Sequence, residues 1–214
     1  MRFKNSKIFN RSKELPVAAL AKGLTLTKEE RACLKENVAK IEIAGIIDKD
    51  IAKPADGVEL IYLMALDLKD DCVPIISMTA FDKQTHAHTI WEIPWGAKMM
   101  YYIANKTIKD GKITLGNFYG TDPLPGFEEL FIDEHIGSTL AETYGNLYSY
   151  VVGLPRRDGE IATDIENRSK RIKALEKEAD KLERKKNSEI QFNKKTEIND
   201  QIRKLMAEIQ KELA

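Results

Sequence analysis

No proline follows Pro155, and the apolar residues beyond it fall at helical spacing through a charge-laced stretch. That combination restricts residues 161–214 to long helix. Ile165, Ile172, Leu175, Ala179 and Leu182 occupy the a and d positions of a heptad seam, the pattern that packs one helix against another. Ile198, Ile202, Leu205 and Ile209 form a second seam, yet carrying the first register forward puts Asp200 and Arg203 on it instead. The helix is therefore broken or re-phased between Lys186 and Glu197. Asn187-Ser188 is the natural break, because Ser188 and Gln191 have the spacing of a fresh capping box. The phase change favours an antiparallel helical hairpin with arms of ~39 Å over one stuttered helix of ~80 Å, at 1.5 Å per residue.

Upstream, the chain of 214 residues has room for one domain with a proper core beside this arm. The Gly153 to Gly159 stretch, with Pro155 and two arginines, reads as a linker. The expected organisation is a globular domain over 1–152, a linker over 153–160 and a helical hairpin or coiled coil over 161–214. Within the domain, Leu15 to Leu20 opens a short helix around Pro16, and Thr27-Lys28-Glu29-Glu30 is a capping box for a helix to about Asn37. Lys40 to Gly45 alternates like a half-buried strand, and Val58 to Leu68 is apolar enough for a strand covered on both faces. Val73 to Phe81 reads as a further strand, with a hairpin at Asp82-Lys83-Gln84 leading into Thr85 to Ile93. Asp110-Gly111 is a favoured two-residue turn between Met100–Ile103 and Ile113–Tyr119. Pro123 to Gly126 closes the sheet, and Phe127 to Tyr150 spaces its apolar residues like one or two helices. The predicted class is α+β, with a mostly antiparallel sheet and packed helices.

Charge provides no overall attraction to polyanions. The 34 basic and 34 acidic residues cancel, so no global field draws the chain to nucleic acid or acidic membranes, although local clusters survive a neutral sum. Cys33 and Cys72 lack the spacing of a metal or redox motif and read as isolated thiols. The start, Met1 to Asn5, has no apolar signal segment, and no run approaches the ~20 apolar residues that cross a bilayer. The expectation is a cytoplasmic protein with no membrane partner and no cofactor.

Glu189-Ile190-Gln191-Phe192-Asn193-Lys194-Lys195-Thr196-Glu197-Ile198-Asn199 resembles the C-terminal pattern of the bacterial and archaeal family called domain of unknown function 4391. The apolar strand beginning Val58-Glu59-Leu60 and the Leu124-Pro125-Gly126 turn are similar to that family as well. The resemblance implies a helical element after the first strands, longer than the short Leu68–Val73 link offers. It also implies an association with helicases, methyltransferases or restriction-type systems, and it implies no reaction.

Three constellations could carry chemistry. Asp56, with Asp67 and Lys69, echoes the two carboxylates and lysine with which a nuclease grips Mg²⁺ and positions water; the commoner origin of such residues is a polar turn. His86 and His88 lie two apart, which on a strand puts both on one face as candidate metal ligands, but a zinc site needs further ligands nearby. Trp91, Pro94, Trp95, Tyr101 and Tyr102 cluster as core and rim packing or as a stacking surface.

The arm offers an interaction site. Between Arg184 and Lys195 the basic residues Arg184, Lys185, Lys186, Lys194 and Lys195 face one acidic residue, Glu189. Phe192, between Gln191 and Asn193 and outside both seams, either staples the hairpin turn or docks into a partner; the amides beside it suit capping of open backbone groups, which favours the staple. The resulting expectation is an accessory or adaptor protein that engages a helicase, methyltransferase or restriction-type subunit through Arg184, Lys185, Lys186, Gln191, Phe192, Asn193, Lys194 and Lys195. Nucleic acid at the basic tip is a further candidate partner. The alternatives are a metal-dependent nuclease built on Asp56, Asp67 and Lys69, and a coiled-coil protein that associates with itself.

Overall fold

Thr27 starts its helix as the capping-box spacing requires. Its hydroxyl accepts the Glu30 amide at 3.2 Å, while the Glu30 carboxylate accepts the Thr27 amide at 2.7 Å. The computed structural model describes residues 3–9, 13–125 and 130–214. Along the chain these form α1 (Ser6–Phe9), β1 (Lys13–Leu15), α2 (Val17–Gly23), α3 (Lys28–Asn37), β2 (Val38–Ile47) and β3 (Ile61–Leu68). There follow α4 (Ile75–Asp82), β4 (His88–Trp95), β5 (Lys98–Lys109), β6 (Lys112–Gly120) and β7 (Leu124–Pro125). A 3₁₀ turn (Ile132–His135), α5 (Leu140–Val152), α6 (Ala162–Ser188) and α7 (Phe192–Leu213) complete the chain.

The strands make one sheet in the order β1-β2-β3-β4-β5-β6, with β7 on β5. All pairs are antiparallel except β3 and β4, so the class is α+β with a mostly antiparallel, mixed sheet. Leu63 and Met64, neighbours that point to opposite faces of β3, are both fully buried, which is why that strand reads as a continuous apolar run. Ile41, Met64, Leu66, Trp91 and Ile93 meet Leu34 of α3 and Met78 and Phe81 of α4 in the core. Asp110 (φ 50°) and Gly111 (φ 73°) both take positive φ, the backbone of a type I′ hairpin turn, between the paired Lys109 and Lys112.

Two expectations for the middle of the chain are overturned. Val73 to Phe81 is not a strand: Ile75 onward is helix, entered through Pro74. Nor is Asp82 to Gln84 a hairpin, because β4 runs parallel to β3 and α4 is the crossover between them. An apolar run of this length has no period that separates strand from buried helix. Pro74 carried the missing signal, since proline suits a helix start and cannot donate to an interior ladder. The Leu68–Val73 link itself stays short and non-helical, and the first helix after β3 is α4.

Further along, Leu130, Leu140, Tyr144 and Leu147 are buried as their spacing predicts, Phe131 and Ile136 are half-buried, and Gly126 and Phe127 lie outside the described residues. Gly153 (φ 73°) ends α5 in the left-handed conformation that glycine adopts without strain. The chain divides there into two compact units, residues 1–153 and 154–214.

In the second unit α6 and α7 form a hairpin, closed at one end by the three residues Glu189 to Gln191. Ile165, Ile172 and Ala179 on α6, and Ile198, Ile202 and Ile209 on α7, are buried, so both seams point inward. At ~1.5 Å per residue the 27 residues of α6 and 22 of α7 make arms of ~40 and ~33 Å. No helix among the described residues is long and apolar enough to cross a membrane.

Candidate functional site

The hairpin turn is built by a carboxylate. Glu189 Oε1 accepts the backbone amides of Ile190 at 2.9 Å and Gln191 at 3.0 Å, and these bonds hold its carboxyl below the usual range. The expected Ser188–Gln191 capping box does not form. Ser188 Oγ donates back to Lys185 O at 3.0 Å, and Gln191, the N-cap of α7, supplies no side-chain acceptor. Glu189 takes over because a carboxylate one residue beyond the last helical turn reaches two consecutive amides.

The same turn exposes its apolar residues. Ile190 is 92% exposed and Phe192 81% exposed, so Phe192 does not staple the hairpin. A ring left in water contributes nothing to folding through burial, whereas Gln191 and Asn193 beside it are exposed as well. Arg184, Lys185, Lys194 and Lys195 surround the pair as exposed cations, and Lys186 pairs with Glu183 at 2.9 Å. All eight interaction residues of the sequence reading therefore gather at one end of one hairpin. Phe192→Ala should leave the melting temperature within about 2 °C of wild type, as surface changes of under ~0.5 kcal/mol do; a larger fall in a thermal scan would restore the staple.

The other end of the hairpin is different in kind. Arg168, whose side chain is fully buried, donates Nε to Glu160 Oε1 at 2.9 Å and Nη2 to Glu160 Oε2 at 2.8 Å. Its remaining donors reach Pro155 O at 2.5 Å and Glu212 O at 2.9 Å. Beside this clasp a groove of about 510 Å³ is lined by Arg157, Arg171 and Lys211, by Glu178, Glu208 and Glu212, and by Ala174 and Leu175. Its charges balance, whereas the tip has one dominant sign.

The nuclease candidates do not converge. Asp67, one residue before the end of β3 and opposite Lys40, lines a pocket of about 290 Å³ with Lys69, Asp70, Asp71 and Pro94. Asp56 (φ 50°) sits in the tight Ala55–Val58 turn before β3, where Gly57 lies against the Ile108 carbonyl. Strand β3 alone separates the two by ~20 Å at ~3.3 Å per residue. Lys69 is engaged elsewhere, its ammonium on Lys35 O at 2.5 Å. His86 lies exposed ahead of β4 and His88 is buried within it, so the two do not share an open strand face. Among the described residues no group of three or more His, Cys, Asp or Glu is placed to hold a metal ion. Trp91 and Tyr101 are core, with Trp91 edge-on to Phe81 at 5.3 Å between ring centroids.

Sequence reasoning missed a buried polar cluster in the first unit. Asp82, Thr89, His88, Lys106 and Tyr144 are each 2% exposed or less. Thr89 Oγ1 donates to Asp82 Oδ1 at 2.5 Å, and Trp91 Nε1 reaches Asp82 Oδ2 at 3.4 Å. Lys106 Nζ donates to the carbonyls of Thr85 and, at 2.7 Å, Ala87. Nε2 of His88 bonds the Lys106 carbonyl at 2.9 Å, its ring meets Tyr144 edge-on, and Tyr144 donates to Ala104 O at 2.5 Å. Burial pushes the Asp82 carboxyl up to about 6, the His88 imidazole down to about 4 and the Lys106 ammonium down to about 8. Sealed from solvent on this scale, the cluster ties α4, β4, β5 and α5 together and presents no reactive atom to a substrate. Its only sequence signal was a lysine in the apolar run of β5.

No curated protein and no solved structure matches the chain. One family does match, over residues 8–209, which take in both compact units and the exposed tip. The protein accordingly belongs to the family described as "Domain of unknown function (DUF4391)".

Proposed function

We propose that the protein is a non-enzymatic accessory factor whose helical arm engages a larger assembly. One observation carries the reading: Ile190 and Phe192 stand 92% and 81% exposed at the turn of a hairpin whose own seams are already buried. Folding gains nothing from apolar side chains held in water. Burying both against a partner is worth roughly 3–6 kcal/mol, at ~1.5–3 kcal/mol for each large side chain. The separation of Asp56 from Asp67 and Lys69 lends further support, since it leaves the nuclease alternative without an assembled site. The family resemblance points to a helicase, methyltransferase or restriction-type subunit as the class of assembly, within the cytoplasm.

The test is gentle purification of the tagged, full-length chain from its own host, beside an Ile190→Asp/Phe192→Asp double variant. A stoichiometric subunit of one of those classes should accompany the wild type and be lost from a variant of unchanged melting temperature. A chain that emerges alone, or a partner that the variant retains, would count against the arm as the contact element.

A further inference from the structure

We infer that the tip of the arm binds a nucleic-acid strand, with Phe192 stacking on an exposed base and the surrounding cations meeting the phosphates. This rests on the reading of the arm as the contact element and names what its tip touches. Charge supplies the first argument. Lys185, just after Arg184, lies in the last turn of α6, where the helix dipole welcomes cations, but Lys194 and Lys195 fall in the first turn of α7, where it opposes them and favours carboxylates. Stability alone does not choose lysines there, and an anionic partner reverses the sign. The one carboxylate between these cations, Glu189, is turned onto its own backbone by two amide bonds.

Chemistry separates nucleic acid from the other anionic partners. Phe192 is flanked by the exposed amides of Gln191 and Asn193. A bilayer interior would leave both amides without hydrogen bonds, at a cost that works against insertion of the ring between them. Base edges offer donors and acceptors to such amides, and every base offers a face to an aromatic ring. Ile190, on the same turn and 92% exposed, offers the strand a second apolar surface.

Fluorescence anisotropy of a labelled, mixed-sequence single strand, with the matching duplex beside it, tests this on the full-length chain. The wild type should bind the single strand, with a logarithmic salt slope of about −3 if Arg184, Lys185, Lys194 and Lys195 each displace a counterion. Phe192→Ala should weaken binding about tenfold and leave that slope unchanged. The Lys194→Ala/Lys195→Ala variant should make the slope shallower by about 1.4. A tighter complex with duplex than with single strand overturns the stacked-base geometry, and binding that these variants leave unchanged overturns the site. Failure to bind either probe, with or without capture by anionic phosphatidylserine vesicles, overturns the inference. If a protein partner is meanwhile lost from the Ile190→Asp/Phe192→Asp variant, the accessory reading stands while this one falls.

Discussion

Arg168→Met is expected to melt the helical hairpin. The substitution keeps the aliphatic bulk but removes four donated hydrogen bonds; it leaves the Glu160 carboxylate with only the Arg157 amide and the Glu212 carbonyl with only the Arg157 guanidinium, and takes the arginine donor from the Pro155 carbonyl. Removing one partner of a buried, hydrogen-bonded ion pair costs about 3–5 kcal/mol. A single core in a unit of fewer than ~70–80 residues rarely contributes more than that, and the unit of residues 154–214 is below that size. The loss is therefore comparable to all the stability the hairpin has. Helical circular dichroism should fall, and the backbone amides of α6 and α7 should lose their protection from hydrogen exchange.

Arg168→Lys should be nearly as severe, because an ammonium cannot make the two parallel bonds to Glu160. Adding Glu160→Gln to Arg168→Met should restore part of the loss, since it removes the stranded charge. The pH dependence gives an independent check. Burial alone pushes the Glu160 carboxyl up, but the Arg168 bonds, the Arg157 amide and the two guanidinium charges outweigh it and leave it below the usual range. A carboxyl lowered on folding contributes stability that is present above its unfolded value and lost as pH falls through the folded one. Wild type should lose hairpin stability below about pH 4.5, and Arg168→Met should have a shallower acid limb, because the Arg168 share at Glu160 is gone while the lowered carboxyls of Glu189 and Glu212 still contribute. A variant as protected as wild type would show that the clasp does not hold the hairpin.

Lys106→Met carries the second large effect, in the other unit. It deprives the carbonyls of Thr85 and Ala87 of their donor and leaves Asp82 buried without the cation that lowers its pKa. About 3 kcal/mol of destabilisation follows from those stranded groups. Asp82 is raised to about 6 from 3.8, so its contribution to stability declines as pH rises between those values. His88 is lowered to about 4 from 6.5 and contributes in the opposite direction over nearly the same window. The two offset each other in wild type, and Asp82→Asn should expose a stability that climbs from about pH 4 to 6.5. In Lys106→Met the Asp82 carboxyl rises further, which carries its decline towards neutral pH. Urea titrations should thus find the gap between Lys106→Met and wild type narrower at pH 5 than at pH 7. An equal gap at both would separate Lys106 from Asp82 energetically.

What could be read in advance was whatever depends on neighbours along the chain. The Thr27 capping box, the Asp110-Gly111 turn and the phase break between the two heptad seams are local rules, each decided within a few residues, and each appears where the spacing puts it. The gathering of Arg184 to Lys195 at one tip follows from the same phase break. The exposure of Phe192 does not, because a ring beside a turn is either buried or free according to what the other helix presents.

The remaining features were settled by contacts between residues distant in sequence. Whether Ile75 to Asp82 becomes strand or helix depends on the packing of Met78 and Phe81 against Leu34 of α3 and the sheet, and its own residues fit either form. The parallel pairing of β3 with β4 follows from that crossover and separates strands that a hairpin would have joined. Asp56 and Asp67 looked close because 11 residues of sequence separate them, yet extended backbone turns that interval into most of the length of the sheet. By itself the sequence determined the local geometry, the hairpin and its charged tip. Tertiary structure alone decided the crossover, the buried Asp82–His88–Lys106 cluster and the exposure of the tip, because burial is a property of partners that the chain brings together only when it folds.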